Sequence, residues 1–182
     1  MKKAILTLTI TFTSLYLPAQ SSGTAALHNV RWYSIQEAEK LAAKTPRPLF
    51  IDTYTDWCGW CKKMDAETFT NEVIADILNN KFYPVKFNAE TREKINFLGS
   101  EFINDGKYGN AHQLAVALLQ GQLSYPTVVF MLMNDNGKYE VAPVAGFKQP
   151  KEMEMILSYF ADNNYKSKNW EDFQKSFTGK VK

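Results

Sequence analysis

Two rhythms of apolar and polar positions run along this chain of 182 residues, one with the period of a helix and one with that of a strand. Ser34-Ile35-Gln36-Glu37 has the Ser-x-x-Glu spacing in which each side chain bonds the other's backbone N–H, and it predicts a helix through about Lys44. Thr45-Pro46-Arg47-Pro48 ends it, because each proline disfavours helical geometry in the residue before it. Leu49-Phe50-Ile51-Asp52-Thr53-Tyr54 is a short β-prone run, predicted as a buried strand. A helix is predicted from the cysteines at 58 and 61 through Met64 and Ala66. Thr70 is read as the cap of the next one, whose apolar face carries Val73, Ile74, Ile77 and Leu78. Phe82-Tyr83-Pro84-Val85-Lys86-Phe87 predicts a second strand, so the cysteines fall where a strand passes into the helix of a β-α-β unit.

Between 91 and 124 the pattern gives only one helix, around Leu114, Val116, Ala117 and Leu118, behind loops marked by Gly99, Gly106 and Gly109. Tyr125-Pro126 leads into a third strand, Thr127-Val128-Val129-Phe130-Met131-Leu132. Asp135-Asn136-Gly137 is a turn signal, after which Tyr139 to Val144 returns as an antiparallel strand. Pro150 suits the first turn of a helix that faces inward with Met153, Ile156, Leu157 and Phe160. Trp170 to Phe177 predicts a short amphipathic helix. Met131, Met133, Met153 and Met155 are read as packing residues.

Composition narrows the picture. With 45% hydrophobic and 22% charged residues the chain is too apolar to be disordered, and a net charge of +2 with no basic stripe argues against nucleic acid as a partner. Lys2 and Lys3, an apolar run from Ala4 to Leu17 and the small-residue exit Pro18-Ala19 read as a secretory signal over residues 1–19. That run is shorter than the ~20 residues a spanning helix needs, which disfavours an uncleaved anchor. Export, into a periplasm, is therefore the expectation. Its removal leaves 21 − 2 = 19 basic against 19 acidic residues, so steering by net charge is not the design. Residues 20–29 are small and polar, a flexible lead-in; one folded domain is expected over 30–162, with an appendage over 163–182.

Cys58 and Cys61 are the whole cysteine complement. A bridge across so short a loop constrains little unfolded-chain entropy, so function explains the pair better than stapling does. A zinc site needs about four ligands, and His28 and His112 lack ligand spacing. An inert disulfide remains an alternative, as does a lone nucleophilic Cys with a His base, which leaves Cys61 unexplained. In Cys58-Gly59-Trp60-Cys61 the first thiol sits at a helix start, where free N–H groups and the dipole favour a thiolate and lower its pKa. Such a thiolate attacks a disulfide, and the second thiol resolves the mixed disulfide. Cys58 is then the nucleophile, Cys61 the resolving thiol, and no cofactor beyond the redox-active pair is called for.

At this point the chain resembles the thioredoxin superfamily, the handiest illustration of a Cys-x-x-Cys redox motif. The run from Phe50 to Met64 is similar to exported thioredoxin-like proteins related to the C-terminal domain of the transmembrane thiol:disulfide interchange reductase. Trp57 before the first Cys, Lys62 after the second, Tyr125-Pro126-Thr127 at the cis-proline element and Gly146 after the last strand carry the likeness across residues 25–162. It implies an α/β thioredoxin fold, a central mixed β-sheet flanked by helices, with an enlarged segment before the cis-proline. That enlargement is either a docking surface or a longer loop. Gly59-Trp60 replaces the Gly-Pro of thioredoxin itself, so the reduction potential does not carry over.

The resemblance also assigns roles. Asp52 matches the buried acid that relays a proton to the resolving thiol, and burial of an Asp in an apolar strand raises its pKa toward neutral. A hydrogen-bonded structural Asp is the competing role. Lys86 matches the lysine paired with that acid, against an exposed strand lysine. Trp57 and Tyr54 shield the disulfide or simply pack; Gly59 and Trp60 lie where a client touches; Tyr125, Pro126 and Thr127 offer backbone to an extended substrate. His28 and His112 read as solvated or structural. The function so implied is thiol–disulfide oxidoreduction outside the cytosol, favouring reduction of disulfide-containing client proteins or small thiols, with a membrane-embedded reductase as electron donor. The alternatives are an oxidase or isomerase, and a thioredoxin-fold binding or chaperone module with little turnover.

Overall fold

The computed structural model describes residues 29–161 and 163–182. The expectations placed on residues 1–28, the secretory signal, most of the lead-in and His28, lie outside the described residues.

Ser34 caps α1 (Ile35–Lys44) and exchanges hydrogen bonds with Glu37 as its spacing requires. β1 (Leu49–Tyr54) follows, then α2 (Gly59–Glu67), α3 (Glu72–Lys81) and β2 (Tyr83–Asn88). The cap of α3 is Asn71, not Thr70: the Asn71 side chain accepts from the N–H groups of Val73 and Ile74. Thr70 instead donates back to the Ala66 carbonyl, the local bond a hydroxyl makes at a helix end.

Residues 91–124 hold a feature the pattern did not give, a hairpin of β3 (Ile95–Phe97) and β4 (Ser100–Phe102) turning at Leu98-Gly99. Both turn residues have positive φ, 51° and 74°, which is the backbone a tight hairpin of this twist demands. α4 (Gln113–Leu118) comes next, capped by His112, whose ring accepts from the Leu114 N–H while its other nitrogen meets the Glu93 carbonyl at 3.0 Å. His112 is thus buried and structural, its pKa lowered by burial. β5 (Thr127–Met133), β6 (Tyr139–Ala145), α5 (Pro150–Ala161) and α6 (Trp170–Ser176) complete the order, with a short 3-10 turn at Asn164–Lys166.

The main sheet runs β2-β1-β5-β6, with β1 and β2 parallel and the other pairs antiparallel. Alternation along β1 separates two cores. Leu49 and Ile51 face α1, α4 and the hairpin; Phe50 faces α2, α3 and α5 among Met64, Phe69, Ile74, Phe130 and Leu157. Asp52, two residues after Phe50, inherits that second face and lies on the α2 side. Met131 and Met153 pack in the cores, whereas Met133 is exposed because β5 ends there.

Both sheet edges are guarded. The main chain of Tyr33 pairs with β2 at Val85. On β6 the Val141 carbonyl accepts from Gln120 and the Ala145 carbonyl from Lys148, while Pro143 between them has no N–H to offer. Tyr165 and Trp170 fold the C-terminal segment onto the α5 core.

Candidate functional site

The β1 strand delivers Thr55 to the bottom of a tight turn, where the Cys58 N–H donates to its carbonyl at 3.1 Å. Cys58 is the N-cap of α2: its backbone is extended and its sulfur accepts the Cys61 N–H at 3.1 Å. Cys58 and Cys61 are joined as a disulfide and both are buried. The first turn of α2 holds no acid, so nothing there opposes the preference of the helix dipole for negative charge at its N-cap.

Beneath α2 lies an ion cluster. Lys86 donates to Asp52 Oδ2 and to Asp65 Oδ1, and its ammonium lies 5.0 to 5.5 Å from the ring centres of Tyr54, Trp32 and Phe69. Burial pushes the Asp52 carboxyl up to about 6, with Lys86 pulling the other way. Burial also works against the Lys86 charge, but the carboxylates of Asp52 and Asp65 overcome it and raise its pKa. Asp52 Oδ1 is buried with no hydrogen-bond partner among the described residues. One oxygen of Asp52 is therefore committed to Lys86 and the other is available to take a proton.

The surroundings of the disulfide divide into two flanks. On one, the Trp57 indole donates to Glu90 Oε2 at 3.0 Å and meets the Tyr125 ring edge-on at 6.0 Å. On the other, Trp60 packs on Phe147 at 5.4 Å, with the Lys63 ammonium over both rings at 5.2 and 5.4 Å. Trp57 is 67% exposed and Trp60 58%, so Trp57 is a rim more than a lid. The ring of Tyr54 is spent on Lys86. Gly59 is exposed, with open space where a side chain would be.

The Tyr125–Pro126 peptide is cis. Pro126 and Thr127 are buried; the Thr127 hydroxyl donates to the Ser124 carbonyl at 2.8 Å, closing the loop instead of pointing to a client. Gly146 donates its N–H to the Pro126 carbonyl at 2.8 Å with φ +88°, a backbone that side-chain-bearing residues rarely adopt. The two loops flanking the disulfide are thus tied to one another.

Sequence reasoning missed Asp65, Glu90 and Phe147. Asp65 was within reach of it: four residues after Cys61 it shares that helix face. Glu90 and Phe147 meet the tryptophans only because two distant loops fold back, and nothing in local pattern signals that.

A family model, Thioredox_DsbH (protein of unknown function, DUF255), matches residues 10–176. The chain belongs to the Thioredox_DsbH family. Among curated relatives, this Thioredox_DsbH member is 32% identical to mouse Spermatogenesis-associated protein 20 over 97 residues, 53% of the present chain and 12% of the mouse protein. It is 46% identical to the thiol:disulfide interchange protein DsbD of Ralstonia nicotianae over 48 residues, 24% of this chain and 8% of that one. The chain thus spans about an eighth or less of either relative. A thioredoxin from Thermus thermophilus superposes with a TM-score of 0.53 at 18% identity, covering 75% of this chain and 93% of that one. The fold is the thioredoxin fold, as the residues implied.

Proposed function

We propose that this protein is a thiol–disulfide oxidoreductase that reduces disulfides of client proteins, or of small thiols, outside the cytosol. The observation that carries the reading is the placement of Cys58 as the N-cap of α2, its sulfur bonded to Cys61 and hydrogen-bonded by the Cys61 N–H, in a fold whose neighbouring strand β1 carries a buried Asp52 with one oxygen unpaired among the described residues.

In the reducing direction the pair starts as a dithiol. The Cys58 thiolate attacks one sulfur of the client disulfide, forming a Cys58–client bond and releasing the other client sulfur as a thiolate, which takes a proton. Asp52 accepts the Cys61 proton. The Cys61 thiolate then attacks Cys58 Sγ, closes the intramolecular disulfide and expels the second client sulfur, which is protonated in turn. Two electrons and two protons have passed to the client. Lys86 and Asp65 hold the Asp52 carboxyl in place and, because Asp65 is partly exposed, link it to solvent. A dithiol donor must re-reduce the pair; a membrane-embedded reductase is the proposed source, supported by the likeness of about a quarter of the chain to a thiol:disulfide interchange protein.

Two measurements test this. Dithiothreitol-driven reduction of insulin should run faster with the protein than without it; equal rates would leave a binding module. The equilibrium potential of the pair in glutathione or dithiothreitol buffers should lie well below the ~−120 mV of a strong oxidant; a value near that figure would reverse the direction.

A further inference from the structure

Resting on that reading, we propose that the protein selects clients by the charges on either side of their reacting cysteine. Any client must bring its sulfur against Cys58, so the residues that border the disulfide meet the client's immediate neighbours. A strand advances about 3.3 Å per residue, which places the first two residues on each side of the client cysteine over the two flanks. Those flanks differ in charge. On the Trp60 side the Lys63 ammonium is laid over Trp60 and Phe147, with its side chain 43% exposed. On the Trp57 side the Glu90 carboxylate is held by the indole N–H, and exposed Asp56 is fixed by Asn88 at 3.1 Å.

Counter-charges are present but leave the asymmetry standing. Glu67 lies 3.8 Å from Lys63, Lys148 beside Phe147 is paired with Glu152 at 3.4 Å, and Arg92 bonds Asn104, whose amide in turn holds the Glu90 carbonyl. Lys62 adds a further cation on α2. The client class that fits is an extended polypeptide with an acidic residue on one side of its cysteine, toward Lys63, and a basic residue on the other, toward Glu90. The exposed faces of Trp57 and Trp60 supply the charge-independent contact, and a small thiol is too short to reach both flanks.

The test uses the reduced full chain and two capped pentapeptides, Asp-Ala-Cys-Ala-Lys and Lys-Ala-Cys-Ala-Asp, each as a mixed disulfide with the same small thiol. Exposed pairs of this kind are individually weak, so one charge order should react several-fold to about tenfold faster than the other at low salt. The preference should shrink in molar salt. The double variant Lys63→Glu with Glu90→Lys, both at the surface, should invert the ratio of the two rates. Equal rates for the two peptides, or a preference that survives the charge reversal, would overturn the selectivity while leaving exchange intact. No reaction with either peptide or with a simple aromatic disulfide would instead remove the exchange reading, and this inference with it.

Discussion

At the scale of single residues the cost and the use of Asp52 are the same fact. A carboxyl buried this completely favours its protonated form, and the fold lifts its pKa from 3.8 to about 6. Between those values the native state binds a proton that the unfolded chain has released, so the contribution to stability is whole below about pH 4 and is lost as pH rises through 6. Asp52→Asn should therefore be more stable than the wild type at pH 8, by on the order of 3 kcal/mol, and should match it near pH 4. Thermal unfolding across that range checks it, and a gain that does not depend on pH would contradict the buried titration. The same substitution should slow the resolving step above pH 6 and flatten its pH profile, because the base has been removed. An Asp in an apolar strand was legible in the sequence as an oddity needing a use. That Lys86 serves two acids at once was not: the spacing from Cys61 puts Asp65 on the right helix face, but only the packing of α2 on β2 shows that the lysine reaches it.

Elements of the fold were read well where their period is long enough to register. The helices at 35–44, 72–81 and 150–161 and the strands at 49–54, 83–88 and 127–133 repeat their apolar spacing over several turns or pleats. The hairpin at 95–102 has strands of three residues, too short for alternation to emerge, and its turn depends on a non-glycine residue, Leu98, taking positive φ. The start of α3 was misplaced by one residue since Thr70 and Asn71 are both good caps and only the geometry decides between them. Asn71→Ala should cost about 1 kcal/mol and lower Tm by about 2–4 °C, whereas Thr70→Ala should cost clearly less. Parallel melts of the two variants measure this; the reverse order would mean that Thr70 caps the helix in solution.

The whole molecule joins a thioredoxin-fold core to two additions, the segment before the cis-proline and the C-terminal tail. The first is bounded by two residues that meet Trp57 at the active site, Glu90 before it and Tyr125 after it. The second is fastened by buried Glu154, whose carboxylate accepts from the N–H groups of Lys180 and Val181 at 2.6 and 2.9 Å. Glu154→Ala leaves both donors without their acceptor and should raise hydrogen exchange at Lys180 and Val181 by tenfold or more without altering the core strands. Unchanged exchange there would show that apolar packing, and not the Glu154 carboxylate, holds the end of the tail. If residues 1–19 direct export, N-terminal sequencing of the exported protein should begin near Gln20; an N-terminus at Met1 would contradict cleavage.

Everything functional rests on the unequal duties of two sulfurs three residues apart. The most direct measurement mixes reduced Cys61→Ser protein with a disulfide-bonded client and looks for a covalent adduct by non-reducing electrophoresis and peptide mapping. The expected result is a stable mixed disulfide on Cys58, with none formed by Cys58→Ser under the same conditions. Absence of any adduct, or an equal yield through Cys61 in the Cys58→Ser protein, would contradict the assignment.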